Sequence, residues 1–146
     1  MVNDLPPQIP TWAAADPVAA ELFRAAARHA ASTSYAPYSG LHVGAAGLGR
    51  HGVIVGTNLE SAAYSLTVHA ETAMLVTWRA GGAAPLTHVA CCDERGAVLA
   101  PCGSCRQLLV EQLGASVLIA GVDGWVPLET LLPWHFGAAD LPGVGR

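Results

Sequence analysis

The sequence contains no lysine, and its basic side chains are seven arginines set against eleven acidic residues. The formal net charge is −4 at pH 7. Proteins that bind phosphate backbones cluster basic side chains on one face, and no such cluster occurs along this chain. The sequence therefore predicts no nucleic-acid partner.

Charged residues of both signs make up only 12% of the chain, whereas hydrophobic residues make up 52%. This composition excludes a disordered chain, which combines low hydrophobicity with high charge. A chain of 146 residues can bury one core but has little room for two. A surface so poor in charge also predicts that part of it is covered in an oligomer.

Long apolar runs are also missing, and the stretch from Gln112 to Val122 is far too short to span a membrane. Met1–Pro10 lacks the basic start and apolar run of a secretory signal. We therefore expect a cytoplasmic protein with no membrane partner. In that reducing compartment, the four cysteines are expected to bind metal or serve catalysis rather than form disulfides.

Proline and turn residues predict how the chain is organised. Residues 1–15 are expected to form a flexible arm without regular structure, because Pro6, Pro7 and Pro10 oppose it. Residues 16–146 are expected to form a single domain. Apolar periodicity there predicts helices over 16–33, 69–80, 102–113 and 127–132, and strands over 41–48, 53–58, 87–92 and 115–122. This order predicts a three-layer α/β fold with a mixed sheet.

Two short segments carry metal-binding side chains at predicted helix N-termini: His69-Ala-Glu71 and Pro101-Cys-Gly-Ser-Cys105. His69, Cys102 and Cys105 supply the three protein ligands of a catalytic zinc site, which keeps one position open for water. Zinc lowers the pKa of that water towards ~7. Glu71, two residues past His69, is placed to move its proton without being a ligand.

Two other interpretations of the cysteines remain open. A structural zinc site needs a fourth protein ligand, for which Cys91 and Cys92 are the candidates. Both lie in an apolar strand, where a free cysteine is commonly a small core residue. A redox Cys-x-x-Cys pair is the other alternative, and it explains neither Pro101 nor Glu71.

The two segments in this order are the signature of zinc deaminases, and the chain resembles the zinc-dependent cytidine deaminases over most of its length, from about residue 34 to 141. Further segments similar to that family are Ser34–Ser39, Val43–Ala46, Asn58–Glu60 with Ala63–Tyr64, Pro101–Gln107, Leu131–Pro133, Phe136–Gly137 and Asp140–Leu141. The resemblance implies a cytidine deaminase-like sandwich with a mixed five-stranded sheet and one Zn²⁺ per subunit. It also implies hydrolytic deamination of cytidine, and of deoxycytidine, in pyrimidine salvage.

The resemblance also implies roles for individual residues. Asn58 and Glu60, at i and i+2 on an extended segment, would bind the ribose hydroxyls. The backbone N–H of Ala70 would donate to the pyrimidine carbonyl, and the backbone carbonyl of Ala100 would lie near the leaving amino group. Ala62, Tyr64 and Phe136 would reach into a neighbouring subunit's pocket, which implies a homotetramer with shared sites. Without the family, Tyr64 and Phe136 would be assigned to the core.

The chain departs from the short, tetrameric branch of the family at several positions. The first ligand there is usually Cys and is followed after Glu by Arg, whereas this chain has His69 and Thr72. A neutral His with two thiolates leaves no net charge on Zn²⁺, so the Arg is not needed, and Arg106 can still donate to a ligand sulfur. Leu41 stands where relatives have Phe, which weakens base stacking by about 1 kcal/mol.

Three functional alternatives follow from these departures. A blasticidin-type or other aminopyrimidine nucleoside deaminase would share the zinc segments, and Leu41 and His69 leave that possibility open. A nucleic-acid deaminase is disfavoured by the negative net charge. A non-catalytic zinc module would have no reason to keep Glu71.

His42, where relatives often have Pro, is expected to be a surface residue of the hairpin.

Overall fold

The computed structural model describes residues 4–143, and their regular elements follow the predicted order closely. The helices are α1 (Thr11–Ala15), α2 (Pro17–Thr33), α3 (Ala70–Ala80), α4 (Gly103–Leu113) and α5 (Leu128–Leu131). The strands are β1 (Val43–Gly49), β2 (Gly52–Thr57), β3 (Leu86–Asp93), β4 (Leu118–Ala120) and β5 (Trp125–Pro127). Single 3₁₀ turns occupy Tyr64–Leu66 and Ala138–Asp140.

The five strands form one mixed sheet in the order β2-β1-β3-β4-β5. β1 pairs antiparallel with both β2 and β3, β3 pairs parallel with β4, and β4 pairs antiparallel with β5. The parallel pair is joined through α4, as such a crossover requires. The predicted mixed five-stranded sheet is confirmed.

Helices cover both faces of the sheet, and successive residues of β1 serve opposite cores. On one face, Ala46 packs in a cluster with Leu22 and Phe23 of α2. On the other face, Ala45 packs in a cluster with Met74 of α3 and Leu109 of α4. This alternation follows from the two-residue period of a strand and confirms the three-layer architecture.

α2 begins where its capping residues predict. The Asp16 carboxylate accepts hydrogen bonds from the backbone N–H groups of Val18 at 2.8 Å and Ala19 at 3.0 Å. Pro17 occupies the first helical position, where its missing N–H costs nothing. The Asp16 side chain also accepts from Trp125 Nε1 at 3.0 Å, which ties the start of α2 to β5.

The expectation that residues 1–15 lack regular structure is wrong for Thr11–Ala15, which form α1. Ala13 is completely buried, and the Trp12 indole donates to the Gly121 carbonyl at 3.2 Å and contacts the Trp125 ring edge to face. The three prolines precede the helix, so they do not interrupt it. Residues 1–3 lie outside the described residues.

Two further boundaries differ from the predictions. β4 covers only Leu118–Ala120 of the predicted strand 115–122, and β5 was not predicted from its own residues.

Within residues 4–143, no helix has the length and apolar character needed to cross a membrane.

Two glycines bring helices close to the sheet. A Cβ on Gly44 would lie 2.0 Å from the Ala26 carbonyl oxygen of α2. A Cβ on Gly56 would lie 2.2 Å from the Met74 nitrogen and 2.5 Å from the Ala70 oxygen of α3. Because α3 begins beside the metal-binding motif, the approach at Gly56 also fixes the position of the candidate site.

Candidate active site

The structure brings His69, Cys102 and Cys105 together, although they are far apart in sequence. Their ligand atoms all lie within 4.8 Å of one another. His69 Nδ1 lies 3.3 Å from Cys105 Sγ and 3.3 Å from Cys102 Sγ. Within the described residues, this is the one cluster of three His, Cys, Asp or Glu side chains arranged to hold a metal ion.

The N-termini of two helices position these ligands. His69 precedes the first residue of α3, and Cys102 precedes the first residue of α4 with extended backbone angles. Cys105 lies in the first turn of α4 and is 1% exposed. Both helices therefore direct free N–H groups and positive dipole ends at the ligands, which favours thiolate over thiol.

The donor set fits zinc. One imidazole nitrogen and two sulfurs are ligands that zinc accepts, and three protein ligands leave a fourth tetrahedral position for water or substrate. With Zn–S bonds of about 2.3 Å and Zn–N bonds of about 2.0 Å, tetrahedral ligands lie about 3.5 Å apart, close to the observed 3.3 Å. Burial and the charge of nearby Glu71 raise the pKa of the Cys105 thiol. A cation supplies the charge that stabilises the thiolate.

Glu71 is a buried carboxylate in the first turn of α3, with 5% of its surface exposed. It is not among the three clustered ligands. Its charge contributes to the raised pKa of both Cys91 and Cys105, after burial in each case. The carboxylate therefore lies beside the ligands, where a group that moves protons without binding the metal would be placed.

A cavity of about 410 Å³ opens beside the ligands and has the size of a small-molecule site. The predicted residues that line it are Leu41, Asn58, Glu60, His69, Ala70, Glu71, Ala100 and Cys102. Cys105 is buried outside this lining. The cavity thus joins both metal-binding segments to the predicted ribose and base contacts.

Asn58 is 8% exposed, and its side chain is held by three hydrogen bonds within the chain. Its Oδ1 accepts from Ser34 Oγ at 2.6 Å and from the Val43 N–H at 2.9 Å. Its Nδ2 donates to the Leu41 carbonyl at 2.8 Å. A primary amide has two N–H donors, so one donor remains for a ligand in the cavity.

The Glu60 carboxylate is also engaged within the chain. It accepts from the backbone N–H groups of Tyr38 at 2.9 Å and Ser39 at 3.2 Å, and from the Ser39 hydroxyl. The Ser39 hydroxyl is the main reason that the pKa of Glu60 is lowered, followed by the Tyr38 N–H. Glu60 is therefore ionised and fixed at the rim of the cavity.

Ala62, Tyr64 and Phe136, which the family resemblance assigns to a neighbouring subunit's pocket, are absent from the lining of this cavity. The alternative that Tyr64 and Phe136 belong to the core is wrong, because they are 75% and 61% exposed. Tyr64 contacts the ring of Tyr38 edge to face. Both Tyr64 and Phe136 are therefore open to solvent on the single chain.

Cys91 and Cys92 are core residues, 2% and 0% exposed, and neither belongs to the ligand cluster. Burial raises the pKa of Cys92 to about 12. The structure therefore gives no fourth protein ligand for a structural zinc site among these side chains. Arg106 differs from the prediction, because its guanidinium donates to the carbonyls of Pro101 at 2.8 Å and Leu131 at 2.9 Å rather than to a ligand sulfur.

Four cavity residues were not singled out from the sequence: Ser39, Val43, Thr67 and Leu99. Ser39 and Val43 lie within segments that resemble the family's first conserved block, so a signal was present for them. Thr67 and Leu99 stand just before the two metal-binding segments. Their proximity to those segments is the only sequence signal for them.

Comparison with known proteins agrees with this geometry. A family model described as the cytidine and deoxycytidylate deaminase zinc-binding region matches residues 18–121. A cytidine deaminase of Mycobacterium tuberculosis (strain CDC 1551 / Oshkosh) is 43% identical over 126 residues, which cover 86% of this chain and 95% of the relative. A cytidine deaminase of Halalkalibacterium halodurans is 35% identical over 114 residues, covering 74% and 86%.

Solved structures show the same similarity. The crystal structure of cytidine deaminase from Mycobacterium tuberculosis superposes with a TM-score of 0.76 at 42% identity, covering 80% of this chain and 95% of that one. The enzyme from Mycobacterium leprae gives a TM-score of 0.74 at 42% identity, covering 78% and 96%.

Proposed function

We propose, from the premise that the chain belongs to the cytidine and deoxycytidylate deaminase family, that it hydrolyses cytidine and deoxycytidine to the corresponding uridine product and ammonia. The observation that carries the proposal is the placement of Glu71. Its buried carboxylate lines a cavity of about 410 Å³ together with His69 and Cys102. A metal site with one open position, a proton carrier and a nucleoside-sized cavity are thus brought to one place.

His69, Cys102 and Cys105 would hold one zinc ion, which when bound makes water nucleophilic at neutral pH. Glu71 accepts a proton from water as the oxygen adds to C4 of the pyrimidine. It passes this proton to ring N3 and delivers a second proton to the departing amine. The water therefore supplies the new carbonyl oxygen, the hydrogen that stays on N3 and the one hydrogen that the amino group gains as it leaves as ammonia. Burial of Glu71 keeps the proton from bulk solvent during these steps.

Backbone groups of the helix start and the preceding loop orient the base. The N–H of Ala70 lies in the first turn of α3, where helical N–H groups have no partner within the helix. It is available to donate to the pyrimidine carbonyl. The carbonyl of Ala100, on the opposite segment of the cavity, accepts from the amino group that leaves.

Asn58 and Glu60 hold the ribose at the other end of the cavity. The remaining Nδ2 hydrogen of Asn58 donates to a ribose hydroxyl, and the ionised Glu60 accepts from one. Both side chains are already fixed by hydrogen bonds within the chain. Little side-chain freedom is therefore lost when the sugar binds.

Leu41 supports a second candidate function. It lines the cavity and is 49% exposed, and the family resemblance implies a Phe at this position. A smaller, aliphatic wall stacks less well on cytosine and leaves room for a substituent. A blasticidin-type or other modified aminopyrimidine nucleoside is the substrate class that this wall would admit.

A homotetramer with shared sites completes the proposal. Tyr64 and Phe136 are exposed on the single chain, and Trp134, two residues before Phe136, is 99% exposed. Aromatic side chains left in water are favourable to bury against a second chain. Tyr64, Phe136 and the backbone at Ala62 would line the neighbouring subunit's cavity.

Cytoplasmic pyrimidine salvage is the setting that the chain's chemistry favours. All four cysteines are free thiols, which a reducing compartment preserves. The net charge of −4 opposes a polynucleotide substrate.

A substrate panel tests the function directly. The zinc-loaded protein is incubated with cytidine, deoxycytidine, a blasticidin-type nucleoside and a cytosine-containing single-stranded oligonucleotide, and loss of the aminopyrimidine absorbance is followed. Turnover of cytidine and deoxycytidine with no change in the oligonucleotide supports the proposal. Turnover of the modified nucleoside alone would assign the second function, and turnover of the oligonucleotide would contradict both.

A further inference from the structure

His42 occupies an unexpected position behind the substrate cavity. Its two chain neighbours, Leu41 and Val43, line the cavity, whereas His42 does not. It is half-buried and directly precedes β1 of the hairpin. Its Nδ1 lies 3.1 Å from the hydroxyl of Ser34, the residue that follows the last residue of α2.

This contact belongs to a chain of hydrogen bonds that runs from His42 through Ser34 to Asn58. The direction of donation is fixed at the Asn58 end. Asn58 Oδ1 accepts from the Val43 N–H and Asn58 Nδ2 donates to the Leu41 carbonyl, so the amide orientation is determined by two backbone partners. Ser34 Oγ lies 2.6 Å from the same Oδ1 and must therefore donate its single hydrogen there. His42 Nδ1 must then carry a hydrogen and donate it to Ser34.

The chain of hydrogen bonds ends at Asn58, which lines the substrate cavity. A hydroxyl that accepts one hydrogen bond becomes a better donor in the next, because successive bonds polarise one another. The polarised Asn58 amide has a second Nδ2 hydrogen besides the one donated to Leu41, and Asn58 lines the cavity.

We propose that His42 is a positioning residue for substrate recognition: through Ser34, it orients and polarises Asn58 so that the remaining amide hydrogen meets a ribose hydroxyl. This inference rests on the proposed function and deepens it. His42 touches no substrate atom, so its contribution is to binding of the sugar and not to the chemistry at C4. The interaction is the same in the ground state and the transition state, which places its effect in KM.

The test compares two ligands that differ only at the sugar. KM and kcat for cytidine are measured together with the inhibition constant of 2′,3′-dideoxycytidine, which lacks the 2′- and 3′-hydroxyls proposed to bind Asn58. His42→Leu is expected to raise the KM for cytidine by about threefold to tenfold, the range of one neutral hydrogen bond, with kcat unchanged. The inhibition constant of the dideoxy compound should not change.

Matched variants separate positioning from folding. His42→Asn keeps an N–H donor close to the position of Nδ1 and should restore most of the cytidine affinity. Ser34→Ala interrupts the same chain one residue further on and should raise KM by a similar factor. The double variant His42→Leu/Ser34→Ala should show no further loss, because both changes remove one shared pathway.

The outcomes are distinguishable. If wild-type protein deaminates cytidine and His42→Leu weakens cytidine and the dideoxy compound equally, or weakens neither, the inference is overturned and the proposed function stands. Multiplicative losses in the double variant would also overturn it. If the wild-type protein fails to deaminate cytidine, the proposed function fails and the inference falls with it.

Discussion

Replacing Gly56 with Ala should damage the active site through the backbone, without altering any functional side chain. Gly56 lies on β2 beneath α3, and an added Cβ would stand 2.2 Å from the Met74 nitrogen and 2.5 Å from the Ala70 oxygen. Ordinary contacts of a Cβ begin at 3.4 Å. Both obstructing atoms belong to the helix backbone, so no side-chain rotation relieves the clash. The helix must move away from the sheet by about 1 Å, a shift of the kind that overpacking forces on a core.

The magnitude follows from what the first turn of α3 carries. Overpacking costs typically 1–3 kcal/mol, and a clash between backbone atoms places this variant at about 3 kcal/mol. The moving turn contains Ala70 and Glu71 and follows His69. A displacement of about 1 Å at reacting groups costs up to ~10²-fold in rate. We therefore expect kcat to fall by about that factor while some folded protein survives.

Chemical denaturation and the cytidine absorbance assay measure the two effects separately. Gly81→Ala is the matched control, because its Cβ would meet only the Thr77 and Trp78 oxygens of the same helix at 3.4 and 3.6 Å. It should match wild type in both measurements. A Gly56→Ala protein that retains wild-type stability and turnover would refute the argument that contact between β2 and α3 positions the catalytic residues.

Three further predictions address the fold, the metal and the assembly. Asp16→Ala should lower the free energy of unfolding by about 1 kcal/mol at pH 7, as measured by urea titration. The hydrogen bond from the Ala19 N–H is the main reason that the pKa of Asp16 is lowered, with Trp125 next. This stabilisation is therefore present above the unfolded-state pKa and is lost as pH falls through the folded-state pKa. The free energies of unfolding of wild type and variant should therefore converge in acid. A difference in unfolding free energy that does not change with pH would contradict the assignment. Removing zinc with a chelator should lower the thermal midpoint, and adding zinc back should restore it; an unchanged midpoint would argue against a metal held by three side chains. Tyr64→Ala should reduce the particle mass measured by sedimentation below that of four chains, or reduce turnover per subunit. A variant with unchanged mass and turnover would show that Tyr64 is not part of a shared site.

The elements with local signals were predictable from the sequence. Each of these signals depends on residues that are close together in the sequence. Examples are the cap at Asp16, the glycines after α3 and the apolar period of the helices. The observed boundaries agree with them. β5 lacked such a signal. It contains three residues, ends in Pro127 and exists because Ile119 and Leu118 of β4 pair with it. Pairing with β4 across the turn at 121–124 defines this strand, so its own three residues do not predict it.

The same distinction holds for the candidate site. Two helix starts position His69, Glu71, Cys102 and Cys105. That the two segments converge was predicted from the zinc deaminase signature they form together, and the structure brings the three ligands together. The surroundings of Asn58 depend instead on chain segments that meet only in the folded state. Its partners come from the end of α2 and from the residues before β1, and the role of His42 behind them follows from that packing alone.

The exposed positions of Tyr64 and Phe136 show a third case. Composition predicts aromatic residues inside, because most large apolar side chains are buried on folding. The family resemblance predicted instead that they extend towards another subunit. The single chain leaves both exposed, at 75% and 61%, which favours the resemblance over composition at these positions.

The central claim is that Glu71 moves protons beside a zinc held by His69, Cys102 and Cys105. Its most direct test is the rate of cytidine deamination by Glu71→Gln and wild-type protein, each with its zinc content measured. Glutamine has nearly the same shape but cannot accept and release a proton in this way. We predict one zinc per chain in both proteins, with turnover in the wild type and none above background in the variant. Substantial turnover by zinc-loaded Glu71→Gln would contradict the account.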